Sequence, residues 1–319
     1  MVQSYKVIII LVNWNGSIDT LECIESLNQS TLSSYRIIVV DNGSTLENLQ
    51  ILKSSSYKFD LIETGKNLGY TGGNNAGITE AIKFNSEYIL LLNNDTIVKE
   101  DTLLNLSVAA DLVPDAGLIS PKILFYPEKN LIWSADANFN YFTLMGKMIG
   151  YKKKDIDIYN NAKYTDYITG CAMLIRKEVI DRIGMLDDNF FATCEDIDYC
   201  LRAKSNGYNI FYAPSSVVYH KEAASSGSYD SPQYTYYTTR GYFLLHNKWA
   251  KNFIHLIFSQ LYYFLYCLKR VLNFMFNGNL KGILAIFFAI KDSIFGKYGF
   301  REYPSLITKS KKFRKEIEN

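Results

Sequence analysis

Two stretches of this sequence gather side chains that could do chemistry. Asn93-Asn94-Asp95 follows an unbroken apolar run, Tyr88-Ile89-Leu90-Leu91-Leu92. Glu195, Asp196 and Asp198 put three carboxylates into four residues. Asp95 is the one ionisable group at its apolar tip, and a charge held there needs a partner. A divalent cation carrying a phosphate group is such a partner; a plain turn leading into a cap is the alternative, because Asn, Asp and Thr favour such places. The second cluster lies at or before a helix start. Crowded carboxylates raise one another's pKa, which is how a general base is tuned. Capping is the alternative, since a helix N-terminus favours negative charge. His220 ends another apolar run, where it reads either as a ligand or as a structural histidine.

The elements that must position these groups alternate in type. Residues 7–12 and 36–40 read as buried strands, ending at Asn13-Trp14-Asn15-Gly16 and Asp41-Asn42-Gly43-Ser44. Helices over 19–29 and 46–54 follow them, and 59–63 is a short third strand. Residues 65–77 hold five glycines and read as a loop whose backbone comes close to something, before a helix over 76–84. Strands over 88–92, 116–123, 167–176, 208–214 and 216–220 are interleaved with helices over 101–113, 177–183 and 199–206. This alternation predicts βαβ units and a parallel sheet, with ligands at the carboxyl ends of its strands. There is no GxGxxG and no GxxxxGK[ST], so a dinucleotide fold and a phosphate-loop NTPase lack their fingerprints.

Composition narrows the class. The 319 residues are 48% hydrophobic, enough for a sizeable core. A net charge of +2 argues against a dedicated nucleic-acid binder. The five cysteines form no CxxC pair and read as reduced thiols in a cytoplasmic setting. The residues before the first strand are too few and too polar for a signal peptide. Residues 125–165 read as an irregular insertion or lid, with Lys152-Lys153-Lys154 as a solvated face. From residue 234 the character changes. A long apolar helix over 253–276 precedes a second amphipathic stretch over 280–295. The end, 297–319, carries seven Lys or Arg against three Asp or Glu. The longest clean apolar run, 261–268, falls well short of the ~20 residues a spanning helix needs. Helices lying in a membrane interface fit better, with packing on the first domain or on a second copy as the alternative.

With these residues in view, the chain resembles a family 2 inverting glycosyltransferase of the GT-A fold. It is most similar to the rhamnosyltransferase-like members that build bacterial surface polysaccharides. The resemblance runs over 7–241 and rests on ordered motifs. These are Val12-Asn13-Trp14-Asn15, Val40-Asp41-Asn42-Gly43-Ser44, Asn67-Leu68-Gly69 with Gly73-Asn74-Asn75, Leu92-Asn93-Asn94-Asp95-Thr96, Gly170-Cys171-Ala172-Met173, and Glu195-Asp196-Ile197-Asp198 before Arg202. It implies an α/β GT-A domain over 1–233, with a mostly parallel central sheet flanked by helices. The nucleotide-sugar half would be about 1–97 and the acceptor half about 98–233, followed by a helical, membrane-associating region over 234–319.

The resemblance also implies roles. Asp41 would bind the base or ribose, with Val12, Asn13 and Asn15 enclosing the base. Asn67, Gly69, Gly73 and Asn74 would line the nucleotide-sugar pocket. Asn93-Asn94-Asp95 stands where the family carries an Asp-x-Asp metal motif, so Asn93 and Asn94 would face the donor and Asp95 would hold Mg²⁺ or Mn²⁺, with His220 completing the metal site. Asp196 matches the catalytic base, with Glu195 beside it, and Gly170, Cys171, Asp198 and Arg202 would lie on the acceptor side. The implied reaction moves a sugar from a nucleotide-diphosphate sugar to a hydroxyl of a glycan or lipid-linked acceptor, at the inner face of the cell membrane. The nearest group transfers rhamnose; a UDP-hexose or UDP-N-acetylhexosamine donor is the alternative. A nucleotidyltransferase would need a basic phosphate-binding signature near the first strand, which is absent. A non-catalytic carbohydrate-binding protein would not need the carboxylate cluster.

Overall fold

The computed structural model describes residues 4–221 and 230–301. The basic end of the chain beyond Arg301, which the sequence reading assigned to a membrane surface, lies outside the described residues. The chain begins β1 (Ser4–Asn13), α1 (Ser17–Leu27), β2 (Tyr35–Asp41), α2 (Leu46–Lys53), β3 (Asp60–Glu63), α3 (Gly69–Ala81), β4 (Asn85–Asn93) and β5 (Thr96–Val98). It continues α4 (Thr102–Leu112), β6 (Ala116–Phe125), β7 (Ile132–Ser134), β8 (Asp136–Asn140), β9 (Met145–Ile149), β10 (Lys163–Tyr164), β11 (Ala172–Arg176), α5 (Lys177–Ile183), α6 (Glu195–Ser205) and β12 (Asn209–His220). Three helices follow: α7 (Pro232–Trp249), α8 (Phe253–Phe276) and α9 (Leu280–Ile294).

The sheet order is β10-β12-β6-β11-β4-β1-β2-β3, with β5 on β12 and β7 on β6. β3, β2, β1 and β4 run parallel, β11 is antiparallel between β4 and β6, and β6 runs parallel to β12. The tips of β1, β2, β4 and β12 and the start of β11 therefore meet at one edge. Both faces of the sheet are covered, which explains the unbroken apolar runs. On one face Val7, Ile9 and Leu11 of β1 join Cys23, Ile24 and Leu27 of α1 and Leu103 and Leu106 of α4 in one core. On the other, α3 lies over Ile10, Val12 and Val40. Each fully buried Leu or Ile contributes roughly 1.5–3 kcal/mol.

Four expectations change. The glycine-rich stretch is the body of α3 from Gly69 onward and not a loop. A Cβ on Gly73 would sit 2.6 Å from Val12 Cγ1, and one on Gly77 would sit 2.4 Å from Ile10 Cγ2. These glycines let the helix lie directly on the sheet, so the expected close approach exists but to the protein's own strands. The strand read over 167–176 begins only at Ala172. The two strands read over 208–220 are one, β12, with a register shift between Ala213 and Val217 that accommodates Pro214. The insertion at 125–165 holds short strands, with β8 and β9 forming a two-stranded sheet of their own.

The chain divides into two compact units. The first comprises Met1–Asn138, Gly146–Leu186 and Asp196–Ser225; the second comprises Phe139–Met145, Asp187–Glu195 and Ser226–Asn319. The second is organised by α7, α8 and α9. Ser231 caps α7 by accepting from the Tyr234 amide, with Pro232 at the first turn; Asn252 caps α8 and Asn279 caps α9 in the same way. Phe243, Tyr263, Cys267, Phe274 and Ile286 form one small core between these helices. No helix among the described residues is long and apolar enough to cross a membrane.

Candidate active site

At the edge of the sheet, β4 ends at Asn93 and turns through Asn94-Asp95 into β5. The turn reading was right as far as it went, but the turn leads into a strand and not a helix. β5 pairs antiparallel with β12, setting Thr96 opposite His220. That pairing brings His220 Nε2 to 3.2 Å from Asp95 Oδ1. Both side chains are buried, Asp95 to 3% exposure and His220 to 6%. The Asn93 amide nitrogen lies 3.4 Å from the same imidazole nitrogen. The Trp133 ring stands edge-on to His220 with centroids 4.7 Å apart, and His220 Nδ1 has no hydrogen-bond partner among the described residues.

A carboxylate oxygen and an imidazole nitrogen this close suit two neighbouring positions on a divalent cation. Among the described residues no group of three or more His, Cys, Asp or Glu side chains gathers around a common point. The pair would therefore leave most coordination positions to phosphate oxygens and water, the usual habit of Mg²⁺ at phosphate sites. The donor set fits the ion that the sequence resemblance implies.

The neighbouring tips are held by amides. Asn13 is fully buried: its amide donates to Asp41 Oδ1 at 3.0 Å and to Ser44 Oγ at 3.1 Å, and its oxygen accepts from Thr20 Oγ1 at 2.9 Å. Asp41 accepts a further bond from the Ser44 amide and is 2% exposed. Asn15, at φ 56°, accepts from the Thr45 amide. Asn94 points back to Thr20 Oγ1 at 2.9 Å. Asn67 accepts from the Gly69 amide, and Asn74 donates to the Tyr70 carbonyl. Sequence reasoning gave no role to Asn42 or Tyr70. The Asn42 amide spans from β2 to the carbonyl of Gly69 at 2.9 Å, and its oxygen accepts from Leu68. The Tyr70 hydroxyl donates to the Gly170 carbonyl at 2.5 Å. Asn42 sits inside a motif already singled out, whereas nothing in the sequence marked Tyr70 or Trp133.

Gly170-Cys171 connects the two carboxylate sites. The Cys171 carbonyl accepts from the Asn93 backbone N–H at 2.8 Å, and the Gly170 backbone N–H donates to Asp196 Oδ2 at 3.1 Å. The other Asp196 oxygen accepts from the Ile197 amide at 2.8 Å. Burial pushes the Asp196 carboxyl above the usual carboxylate range, and these two backbone bonds only partly offset it. The Cys171 thiol is buried and is pushed well up by that burial, with the Asp95 charge adding to the effect, so it is no nucleophile.

Glu195 opens α6 and is buried. Just before it, Phe191, Thr193 and Cys194 all adopt positive φ, between 61° and 69°. Such backbone costs about 1–3 kcal/mol per residue and concentrates at functional sites. Asp198 is fully buried and pairs with Arg202 Nε at 3.0 Å. The other Arg202 nitrogens donate to the carbonyls of Ile183 and Met185. This pair ties α6 to the segment after α5, which is a positioning task.

Comparisons with known proteins bear on the fold and the family. The chain is 28% identical over 241 residues to the low-salt glycan biosynthesis hexosyltransferase Agl10 of Haloferax volcanii, covering 75% of each chain. It is 29% identical to the rhamnosyltransferase WbbL of Escherichia coli, covering 67% of this chain and 83% of that one. The crystal structure of S. aureus TarS 1–349 in complex with UDP-GlcNAc superposes with a TM-score of 0.59 over 91% of this chain and 80% of that chain, at 16% identity, which shows a shared GT-A fold. The model of Glycosyl transferase family 2 matches residues 8–184, more than half of the sequence, and the chain belongs to that family.

Proposed function

We propose that this glycosyltransferase transfers a sugar, with inversion, from a nucleotide-diphosphate sugar to a hydroxyl of a glycan or lipid-linked acceptor in surface polysaccharide synthesis. Rhamnose is the donor sugar favoured by the named activity of WbbL, and a UDP-linked hexose or N-acetylhexosamine is the second choice. The observation that carries the reading is the tie through Gly170-Cys171. One residue of this dipeptide bonds the β4 tip that leads to Asp95, and the other bonds Asp196. A carboxylate with a raised pKa is thereby fixed beside an edge suited to a diphosphate.

In this scheme Asp196 accepts the proton of the acceptor hydroxyl as its oxygen attacks the anomeric carbon. The bond from that carbon to the diphosphate breaks on the opposite side, and the nucleoside diphosphate leaves with the electron pair. No covalent intermediate is required, in keeping with the buried, unreactive Cys171. Asp95 and His220 would hold Mg²⁺ or Mn²⁺, whose charge would stabilise the departing diphosphate. Asp41 and Asn67 would face the nucleoside and Glu195 the acceptor, while Asn13, Asn94, Asp198 and Arg202 position their neighbours.

Release of nucleoside diphosphate, measured over a panel of sugar nucleotides and acceptors with and without Mn²⁺, tests the reading. Turnover with at least one pair is expected. Absence of turnover with every pair, alongside sugar binding without nucleotide binding in titration calorimetry, would overturn it.

A further inference from the structure

The helix α8 turns an apolar face to solvent. Its buried positions, Ser259, Tyr263, Cys267 and Phe274, form a narrow stripe. At 3.6 residues per turn the opposite side carries Ile254, Ile257, Leu261, Leu265, Leu268 and Leu272. Each of these is between 44% and 79% exposed. In a helix that meets only water, this side would be polar. Tyr262 borders the stripe and is exposed as well, a position where an amphipathic ring suits a headgroup layer. A contiguous apolar surface of this kind marks an interaction site.

Charge chooses the occupant. Over 250–301 the sequence has seven Lys or Arg and one acid, Asp292. That acid is already engaged, accepting from the Tyr236 hydroxyl at 2.6 Å and lying 3.4 Å from Arg301. Lys269, beside the stripe on α8, is exposed, and so are Lys281 and Lys291 on α9. In a two-fold dimer through the stripe the same surface meets itself, so Lys269 and the surplus of basic residues would meet like charge. An anionic lipid surface would meet them with opposite charge, each basic residue adding about 1 kcal/mol.

We propose that α8 lies in the plane of an anionic bilayer, its Ile254-to-Leu272 stripe inserted at the headgroup boundary and Lys269 on lipid phosphates, with the basic surplus of 250–301 adding to the attraction. The proposal concerns binding alone and stands or falls separately from the transfer reaction.

The test is flotation of the full chain with vesicles of phosphatidylcholine, either pure or containing about 30% phosphatidylglycerol. Partition at least about tenfold stronger on the anionic vesicles is expected, weakening as salt is raised. The variant Leu261→Gln/Leu265→Gln/Leu272→Gln alters only exposed positions and should keep its circular dichroism spectrum while losing at least about tenfold in partition. A second variant, Lys269→Glu/Lys281→Glu, should lose the preference for anionic vesicles even if the first fails to fold. Three results would overturn the proposal: no flotation of the wild-type chain, equal binding to both vesicle types, or a stable vesicle-free dimer in sedimentation velocity that the first variant dissociates.

Discussion

Replacing Asp196 by Asn separates catalysis from folding. The side chain keeps its volume but has one acceptor oxygen where the carboxylate has two. In the wild type those oxygens take the Gly170 amide at 3.1 Å and the Ile197 amide at 2.8 Å. Whichever way the new amide flips, its NH₂ faces one of those N–H groups and leaves it unpaired, at a cost of about 1–3 kcal/mol. Removing a charge that burial disfavours offsets part of that cost. The melting temperature should therefore fall by only a few degrees, at roughly 2–4 °C per kcal/mol for a chain of this size class. Loss of a general base costs about 10²–10⁴-fold in rate, or roughly 2.7–5.4 kcal/mol of barrier. The variant should be folded, should bind donor nucleotide as the wild type does, and should be nearly inactive. Differential scanning calorimetry, donor titration and nucleoside diphosphate release measure the three quantities. Transfer within about tenfold of wild type would refute the assignment of the base. So would a loss of donor affinity equal to the loss of rate, because that is the signature of a binding residue.

Other expectations follow from the same geometry. Because Asp196 must be ionised to accept a proton and burial raises its pKa, kcat should fall on acidification with a midpoint above the ~3.9 of a free aspartate; a midpoint at or below that value would contradict the burial argument. His220→Ala leaves Asp95 without its imidazole neighbour and should raise the Mn²⁺ concentration for half-maximal activity by more than about tenfold, read from a metal titration after chelation. Gly77→Ala gains about 1 kcal/mol of helix propensity but drives a methyl to 2.4 Å from Ile10 Cγ2, on a buried β-branched side chain that cannot swing away. Overpacking of this kind costs about 1–3 kcal/mol, so denaturant titration should show a less stable protein, and an unchanged midpoint would mean that α3 rides higher on the sheet.

The sequence displayed the parts of this molecule that depend on local pattern. The run of aliphatic residues ending at Asn93 and the long apolar helix over 253–276 both appear where the periodicity put them. It concealed the first half of α3, read as a loop before a helix over 76–84, because glycine is a poor helix former, and only the closeness of Ile10 and Val12 explains why glycines are needed there. The edge that collects Asp95, His220 and Asp196 follows from strand direction, which alternating elements do announce. Partners were harder to read. An amide looks the same in a sequence whether it meets a ligand or a neighbouring strand, so Asn13 and Asn94 gave no sign of their internal bonds. The approach of His220 to Asp95 depends on β5 pairing with β12 across more than a hundred residues, which no local pattern encodes.

Under the proposed function, those amides also bear on why a single carboxylate would suffice at the β4 tip. A diphosphate is strongly anionic, and every uncompensated carboxylate near it would repel it. The edge nevertheless needs rigid polar connections, because its strand tips carry backbone groups and two buried aspartates that require partners. Asn13, Asn42, Asn93 and Asn94 supply such connections without charge: Asn13 joins β1 to β2, Asn42 joins β2 to the start of α3, and Asn94 joins the β4 turn to α1. Asn93 places a neutral amide 3.4 Å from His220 Nε2, where a second carboxylate would have added to the negative charge of Asp95. The imidazole then supplies a second donor atom without a second negative charge. An edge built this way gains polar connections without added negative charge, and under the proposed function the carboxylate beside His220 is its attachment point for a cation.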